Sequence, residues 1–492
     1  MSKKLFAVLI VPAGLFVIAM YNANGPRPRS VDSVPIAFWA WRLSTPEQEE
    51  VERAASVTGS RSLFIHAGQF DLANGAVERV RPVKGQFPTG IETHLVYNAK
   101  RVVLDSWEHV DLNAAAATTA QTFAEDTKRA HGDGAEIDGI QLDLDIPERM
   151  LGRYREFLHL LRGKLPPNTK LSITGLASWA NSSDLPAVLA ETDFWLPQFY
   201  GYGLAIQAGD RMAIGSEKEV TAVIDRIRSL NKPFYAGLAA FAFTTLYNRS
   251  GAIAELRGDI GVEDILESGL FELGNRDLIE GENRSEFIVK KEGVVDGLTV
   301  QPGELLVFQT PTSASLAVAA GAARERGGDT LLGICLFRLP TANDTSALSL
   351  EEIQAAVLDV PTHPTTDITS EQDRTNLTFV VRERGSARSA AGDAGITVDI
   401  RVPAGSVSDS FDASYSTWCG DFASAVRCTS RRGDLIRLNL QSARPGEEFR
   451  VSLPIKTGLP PQLQVRVITH VDDGRIEVEF LNLQVRQDRG IK

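Results

Sequence analysis

The sequence predicts an α/β protein: a (β/α)8 TIM barrel with an insertion between strands 7 and 8, followed by an all-β sandwich. Three observations predict it. Strand-length apolar runs alternate with helically striped segments from Val34 to about residue 358. The run Ile137 to Pro147, IDGIQLDLDIP, sets acids inside what otherwise reads as a buried strand. Beyond Leu377 the helical period gives way to short alternating runs such as LTFVV, ITVDIRV, EFRVSL and LQVRVI, parted by Gly, Pro and Asp.

Val34–Trp41 (VPIAFWAW) is the first expected strand, and Ser44-Thr45-Pro46 starts the helix after it. Ser62–Phe70 and Thr93–Tyr97 are the second and third strands, with a hairpin or loop between them rather than a helix. A helix over Asn113–Ala130 leads into the acidic strand, the fourth. Leu151, Tyr154, Leu158 and Leu161 stripe the next helix, which Pro166-Pro167 stops. Lys170–Trp179, Asp193–Tyr200, Pro233–Phe241 and Leu331–Phe337 complete the eight strands. Residues 244–312 break the alternation with helical stretches and then alternating segments, and form an insertion on the face that carries active sites in such barrels. They either wall a cleft or serve stability. A helix over Ser315–Arg326 resumes the barrel, and Ser349 with Glu352 forms a capping box on the last one. Residues 359–376 are the expected linker and 377–492 the sandwich.

The chain has 492 residues, is 43% hydrophobic and carries a formal charge of −12, enough apolar content for two cores. Neither a basic run nor a high pI is present, so no nucleic-acid partner is expected. Of three cysteines, Cys419 and Cys428 are close in a β-rich region and suggest one small disulfide, leaving Cys335 buried in a strand. At the amino terminus, Lys3 and Lys4 precede the apolar run Leu5–Met20, the layout of a secretory signal within residues 1–25, with Ala23 the best cleavage point. The run is short of the roughly 20 residues of a spanning helix, but an uncleaved anchor stays open, and it is the only membrane contact expected. Either way the folded part is exported, to periplasm, medium or a tethered position, after a linker at 26–33.

In the acidic strand Gln141, Asp143 and Asp145 share one face and Ile140, Leu142 and Leu144 the other. Each two-residue step climbs about 6.5 Å, so Asp145 is expected at the carboxyl end with Asp143 one layer below. Two carboxylates so close do not both ionise freely, and one tends to keep its proton, as a general acid must. The alternative is a half-exposed antiparallel strand with a solvated acidic face.

DGIQLDLDIP resembles the signature strand of family 18 glycoside hydrolases, the chitinases and their relatives, which reads DGxDxDxExP with the last acid as proton donor. Asp138, Gly139, Asp143 and Pro147 match it, while Gln141 replaces its second Asp and Asp145 its catalytic Glu. DFWLPQFY resembles the family's sixth strand and puts Gln198 and Tyr200 on its positions. GICLF resembles the eighth, with Phe337 in place of its tryptophan. The altered signature is also similar to that of an uncharacterised bacterial family with no known activity. What the resemblance implies is substrate-assisted cleavage of an N-acetylated polysaccharide, in which the acetamido group itself attacks the sugar carbon. Asp145 is then the acid, Asp143 its electrostatic partner, Tyr200 and Gln198 substrate holders and Asp138 a support, with Gln141, Phe337, Trp39 and Trp179 further candidates for substrate contact. The replaced acid and tryptophan leave a non-catalytic glycan-binding barrel, or a cell-envelope interaction protein, as the alternative.

Other chemistries lack their motifs. No HxxxH or HExxH pair is present for zinc, no GxSxG elbow and no calcium loop, so neither metal nor cofactor is expected.

Overall fold

The structure, a computed structural model, describes residues 34–201, 207–215, 217–341, 344–373, 375–390, 395–403, 426–432, 435–440, 443–455, 459–472 and 474–487. The expected leader, the linker after it, Cys419 and the side chain of Cys428 lie outside the described residues.

Eight strands form the barrel: β1 (Ile36–Ala40), β2 (Ser60–Ala73), β3 (Glu92–Ala99), β4 (Gly139–Asp143), β5 (Lys170–Leu176), β6 (Phe194–Gln198), β7 (Phe234–Ala239) and β8 (Leu331–Phe337). Each pairs in parallel with the next, and β8 pairs with β1, so the ring is closed. The end of β2 runs on into an antiparallel hairpin with Ala76–Val80, the non-helical connection that Gly75 and its neighbours predict.

Strand alternation divides the side chains between two cores. Ile140, Leu142 and Leu144 face outward and pack with Tyr154, Leu158 and Leu161 of the helix Leu151–Arg162. Inside the ring, Ala37, Trp39, Phe64, Val96, Phe194, Leu196, Tyr235 and Cys335 fill the lumen, so the barrel is a packed core with a mouth, as the fold requires. Gly139 opens β4 because a Cβ there would meet the Lys170 carbonyl at 2.5 Å and His94 Nδ1 at 2.6 Å.

The insertion after β7 is a five-stranded antiparallel sheet ordered Ile253–Arg257, Phe243–Tyr247, Leu305–Thr310, Glu282–Val289, Phe271–Ile279. Its helical content is less than the sequence predicts, a single short helix at Val262–Glu267 among the described residues. Glu280 and Gly281, both at positive φ, make the tight turn that joins two of its strands and fixes their register.

The carboxyl-terminal region is all-β, as the sequence predicts, with eight strands against the roughly seven expected. Eight strands form one hydrogen-bonded sheet that curls around a common core including Phe379, Val398, Leu438, Val451, Val467 and Leu483. Alternation in the sequence reports which face is buried, not which strands pair. One of the eight, Thr366–Gln372, lies in the stretch expected as linker, where its polar residues hide a strand that pairs in parallel with Ile476–Gln487.

Candidate functional site

The inward positions near the carboxyl ends of the barrel strands are polar. Asp143 closes β4 beside Asn98 of β3, its register partner. Thr174 Oγ1 of β5 donates to Asp143 Oδ1 at 2.7 Å, and Gln198 Nε2 of β6 donates to the same oxygen at 3.4 Å. Burial is the main influence on Asp143 and the Asp145 charge adds to it; against the opposing Thr174 bond they push its carboxyl up to about 7.

Gln141, one layer below, is fully buried and its two amide ends are engaged. Its Oε1 accepts from Trp39 Nε1 at 2.7 Å, and its Nε2 donates to Ser172 Oγ at 3.3 Å. A second carboxylate at this position would sit close beneath Asp143 and raise the cost of ionising either one.

Asp145 stands two residues past the end of β4 and is exposed. It makes no hydrogen bond among the described residues. The protein around it still displaces water and raises its carboxyl, against the opposing charge of Arg101.

An aromatic cluster lies at the same carboxyl end, on the side of β1, β6, β7 and β8. Phe337 lies 5.9 Å from Trp39, 5.6 Å from Trp41, 6.2 Å from Tyr200 and 4.8 Å from Phe241, centroid to centroid. Trp41 also stacks on His66 at 4.3 Å, and His66 Nε2 donates to Asn98 Oδ1 at 3.1 Å. Burial lowers the His66 pKa, which favours the neutral ring. Burial, with the nearby acids adding to it, raises the Tyr200 hydroxyl far above its ordinary value, so it is a neutral phenol.

Of the residues singled out from sequence, Asp143, Asp145, Gln198, Tyr200 and Phe337 meet at this mouth, with Gln141 and Trp39 directly beneath. Two do not. Asp138 precedes β4 at the opposite end, roughly 16 Å from Asp143 at strand rise, where it accepts from the Thr93 amide at 2.8 Å; it ties the barrel floor rather than supporting the mouth. Trp179 lies beyond the end of β5, 1% exposed, edge-on to Tyr154 in the outer core. His66, Asn98 and Thr174 join the site as well, each an ordinary polar residue in the sequence until the inward alternation of its strand is followed to the carboxyl end.

The insertion holds the chain at Ile214 and Gly215. Glu282, 1% exposed, accepts from the amides of Ile214 at 2.6 Å and Gly215 at 2.9 Å and from Gln309 Nε2 at 2.7 Å. Ile214 in turn accepts at its carbonyl from the Gly201 amide at 2.8 Å and packs with Tyr200, and Gly201 adopts φ +74, which a side chain would resist. Burial raises Glu282 to about 7 against these three donors. Glu282→Gln turns an amide NH2 toward at least one of them, and the expected cost is about 1–3 kcal/mol. Amide exchange at Ile214, Gly215 and Gly201 should quicken while that of β3 and β4 stays unchanged. Unaltered protection at all three amides would show that this clamp is not what holds the loop.

Residues 107–242 match the model of a family described as a domain of unknown function (DUF3142). No curated protein matches the chain. Among solved structures, the chain is similar to a chitinase from Chromobacterium violaceum, at 15% identity over 66% of this chain and 98% of that one, with a TM-score of 0.43. It is similar to the spore cortex-lytic enzyme SleL of Bacillus cereus at 15% identity, over 65% of this chain and 74% of that one, TM-score 0.42. A chitinase-like agglutinin from Robinia pseudoacacia gives 11% identity over 65% and 98%, TM-score 0.40. At these identities the likeness concerns the fold, and the barrel itself rests on the strand pairing above.

Proposed function

We propose that the barrel mouth binds an N-acetylated glycan and cleaves it with assistance from the substrate's own acetamido group. The observation that carries this reading is the grouping of Asp143, held by Thr174 and Gln198, below Asp145 and beside the Tyr200–Phe337–Trp41 cluster. A carboxyl pushed up to about 7 can carry a proton near neutrality and orient an amide N–H when ionised. Tyr200, a neutral phenol, is suited to donate to the acetamido carbonyl, and the aromatic faces suit the apolar side of a pyranose. Asp145 protonates the leaving oxygen in this scheme. Chitinases, a spore cortex-lytic enzyme and a chitinase-like agglutinin are among the proteins of similar fold, which is in keeping with a glycan ligand.

A second reading, glycan binding without cleavage, is favoured by one observation. Asp145 lies beyond the strand and is hydrogen-bonded to nothing among the described residues, so its carboxyl is less fixed than a proton donor requires.

The test is incubation of the full chain and of Asp145→Asn with chitooligosaccharides and with peptidoglycan fragments, measuring affinity and released ends. Cleavage that falls by about a hundredfold or more in the variant, with affinity kept, is the expected result. Binding without cleavage by either protein supports the second reading. Absence of binding to both glycan classes overturns both.

A further inference from the structure

A second surface, remote from the barrel mouth in sequence, is built as a binding face. Four adjacent strands of the curled sheet, Leu435–Leu440, Ile396–Arg401, Gln462–His470 and Ile476–Gln487, turn Leu438, Val398, Ile400, Val465, Val467 and Leu483 into the core. Alternation sends the intervening residues outward, where water favours polar side chains. Instead, the last of these strands presents Ile476, Val478 and Phe480 at successive outward positions, exposed by 61%, 50% and 79%. An exposed phenyl ring forgoes roughly 2 kcal/mol of burial, and a stripe of three such residues is the usual mark of a contact surface.

The residues beside Phe480 name the chemistry. Across the ladder Phe480 faces Arg466, Arg466 faces Asp399, and Asp399 faces Arg437. Asp399 accepts from Arg437 Nε at 2.6 Å and Nη2 at 2.9 Å, and from Arg466 Nε at 3.1 Å and its Nη2. The carboxylate is 3% exposed while the two arginine side chains are 39% and 44% exposed, so Asp399 fixes both guanidinium planes and leaves them facing solvent. The next row across the strands is Arg401, Gln464 and Asn482. Asp399, Arg401, Gln464, Arg466 and Asn482 line a groove of about 400 Å³ beside the phenyl ring. Three arginines against one aspartate make this face basic in a chain whose formal charge is −12.

We infer that this face binds an acidic polysaccharide, a chain of pyranose rings that carries carboxylates. Phe480 stacks on the C–H face of one ring, and the arginines held by Asp399 take a carboxylate through paired N–H donors. Gln464 and Asn482 meet the hydroxyls. Charge complementarity selects this occupant over a neutral glycan. The inference stands on the carboxyl-terminal sheet alone, and failure of the barrel reading leaves it intact.

The test uses the full chain in affinity electrophoresis against polygalacturonate, alginate and hyaluronan, with methyl-esterified polygalacturonate as the same backbone without charge. Retardation by at least one acidic polymer, weakened as salt rises and absent with the ester, is the expected result. Phe480→Ala, at an exposed position, and Arg466→Gln should each weaken it about tenfold or more without changing the thermal midpoint appreciably. The inference is overturned if none of the three acidic polymers retards the protein, if the ester binds equally, or if Phe480→Ala leaves retardation unchanged. Sedimentation showing a dimer that Phe480→Ala dissolves would instead assign the face to a second copy of the chain.

Discussion

Glu352→Gln is expected to destabilise the protein by about 3–5 kcal/mol, the cost of leaving a buried charge without its partner. Glu352, 1% exposed on the helix Leu350–Leu358, accepts from Arg388 Nε at 2.6 Å and Nη2 at 2.8 Å. Arg388, 5% exposed, lies on the connection between the curled-sheet strands Asn376–Glu383 and Ile396–Arg401 and also donates to the Ala347 carbonyl at 2.7 Å. The pair therefore ties barrel to sheet in a dry place. Asp472 Oδ2, 4.0 Å from Arg388 Nε, is too far to replace the lost hydrogen bonds. The same substitution weakens the capping box, in which Glu352 accepts from the Ser349 amide at 2.7 Å. Burial alone would raise the Glu352 carboxyl, but Arg388 holds it below its ordinary value. Its stabilisation is thus present above the unfolded carboxylate pKa and lost as pH falls through the lower folded one. A denaturant midpoint that does not move in Glu352→Gln at pH 7 would rule out this account of the junction.

Asp143→Asn is expected to change stability and cleavage in opposite directions. A folded pKa of about 7, against an ordinary value of 3.8, means the native state holds a proton that the unfolded chain has released. That contribution is full below about pH 4 and is lost as pH rises toward 7, so ionised Asp143 is a burden at pH 8. The isosteric amide cannot ionise. The variant should therefore be more stable than the wild type at pH 8, by on the order of 2 kcal/mol after allowing for solvent in the open mouth, and roughly equal to it at pH 4. Any glycan cleavage should fall by about 10²–10⁴, the range for a lost acid–base group. Thermal midpoints at the two pH values measure the first effect. A variant less stable than the wild type at pH 8 would mean that the ionised carboxylate is welcomed by its surroundings.

The barrel was legible because its strands are apolar enough to stand out between striped helices; β8 begins and ends at Leu331 and Phe337, as the sequence predicts. The inward direction of Asp143 followed from a two-residue period and needed no tertiary information. The end of β4 at Asp143 did not follow, because strand ends depend on where neighbouring strands stop pairing. The expectation that Asp145 would close the strand was lost there. Trp179 departs from its expected place for the same reason, since β5 ends at Leu176 and the chain then coils into a short 3-10 turn that carries the indole outward. Thr174, Asn98 and His66 were readable in principle, by extending Ser172, Val96 and Phe64 two residues along the lumen face. The pairing of Arg388 with Glu352 was not, because it joins two regions whose relative approach no local pattern encodes.

The rung beneath Asp143 sets the proton economy of the mouth. Gln141 has no acid to lend, and its amide is already committed to the Trp39 indole and the Ser172 hydroxyl. Below it the lumen is shut by Phe64, Phe194 and Tyr235. A proton leaving Asp143 has no downward relay through this stack. It must exchange with whatever occupies the opening above, bulk water in the free protein and the bound molecule once one fills it, so occupancy itself becomes the switch between an acid that titrates and one that is sealed.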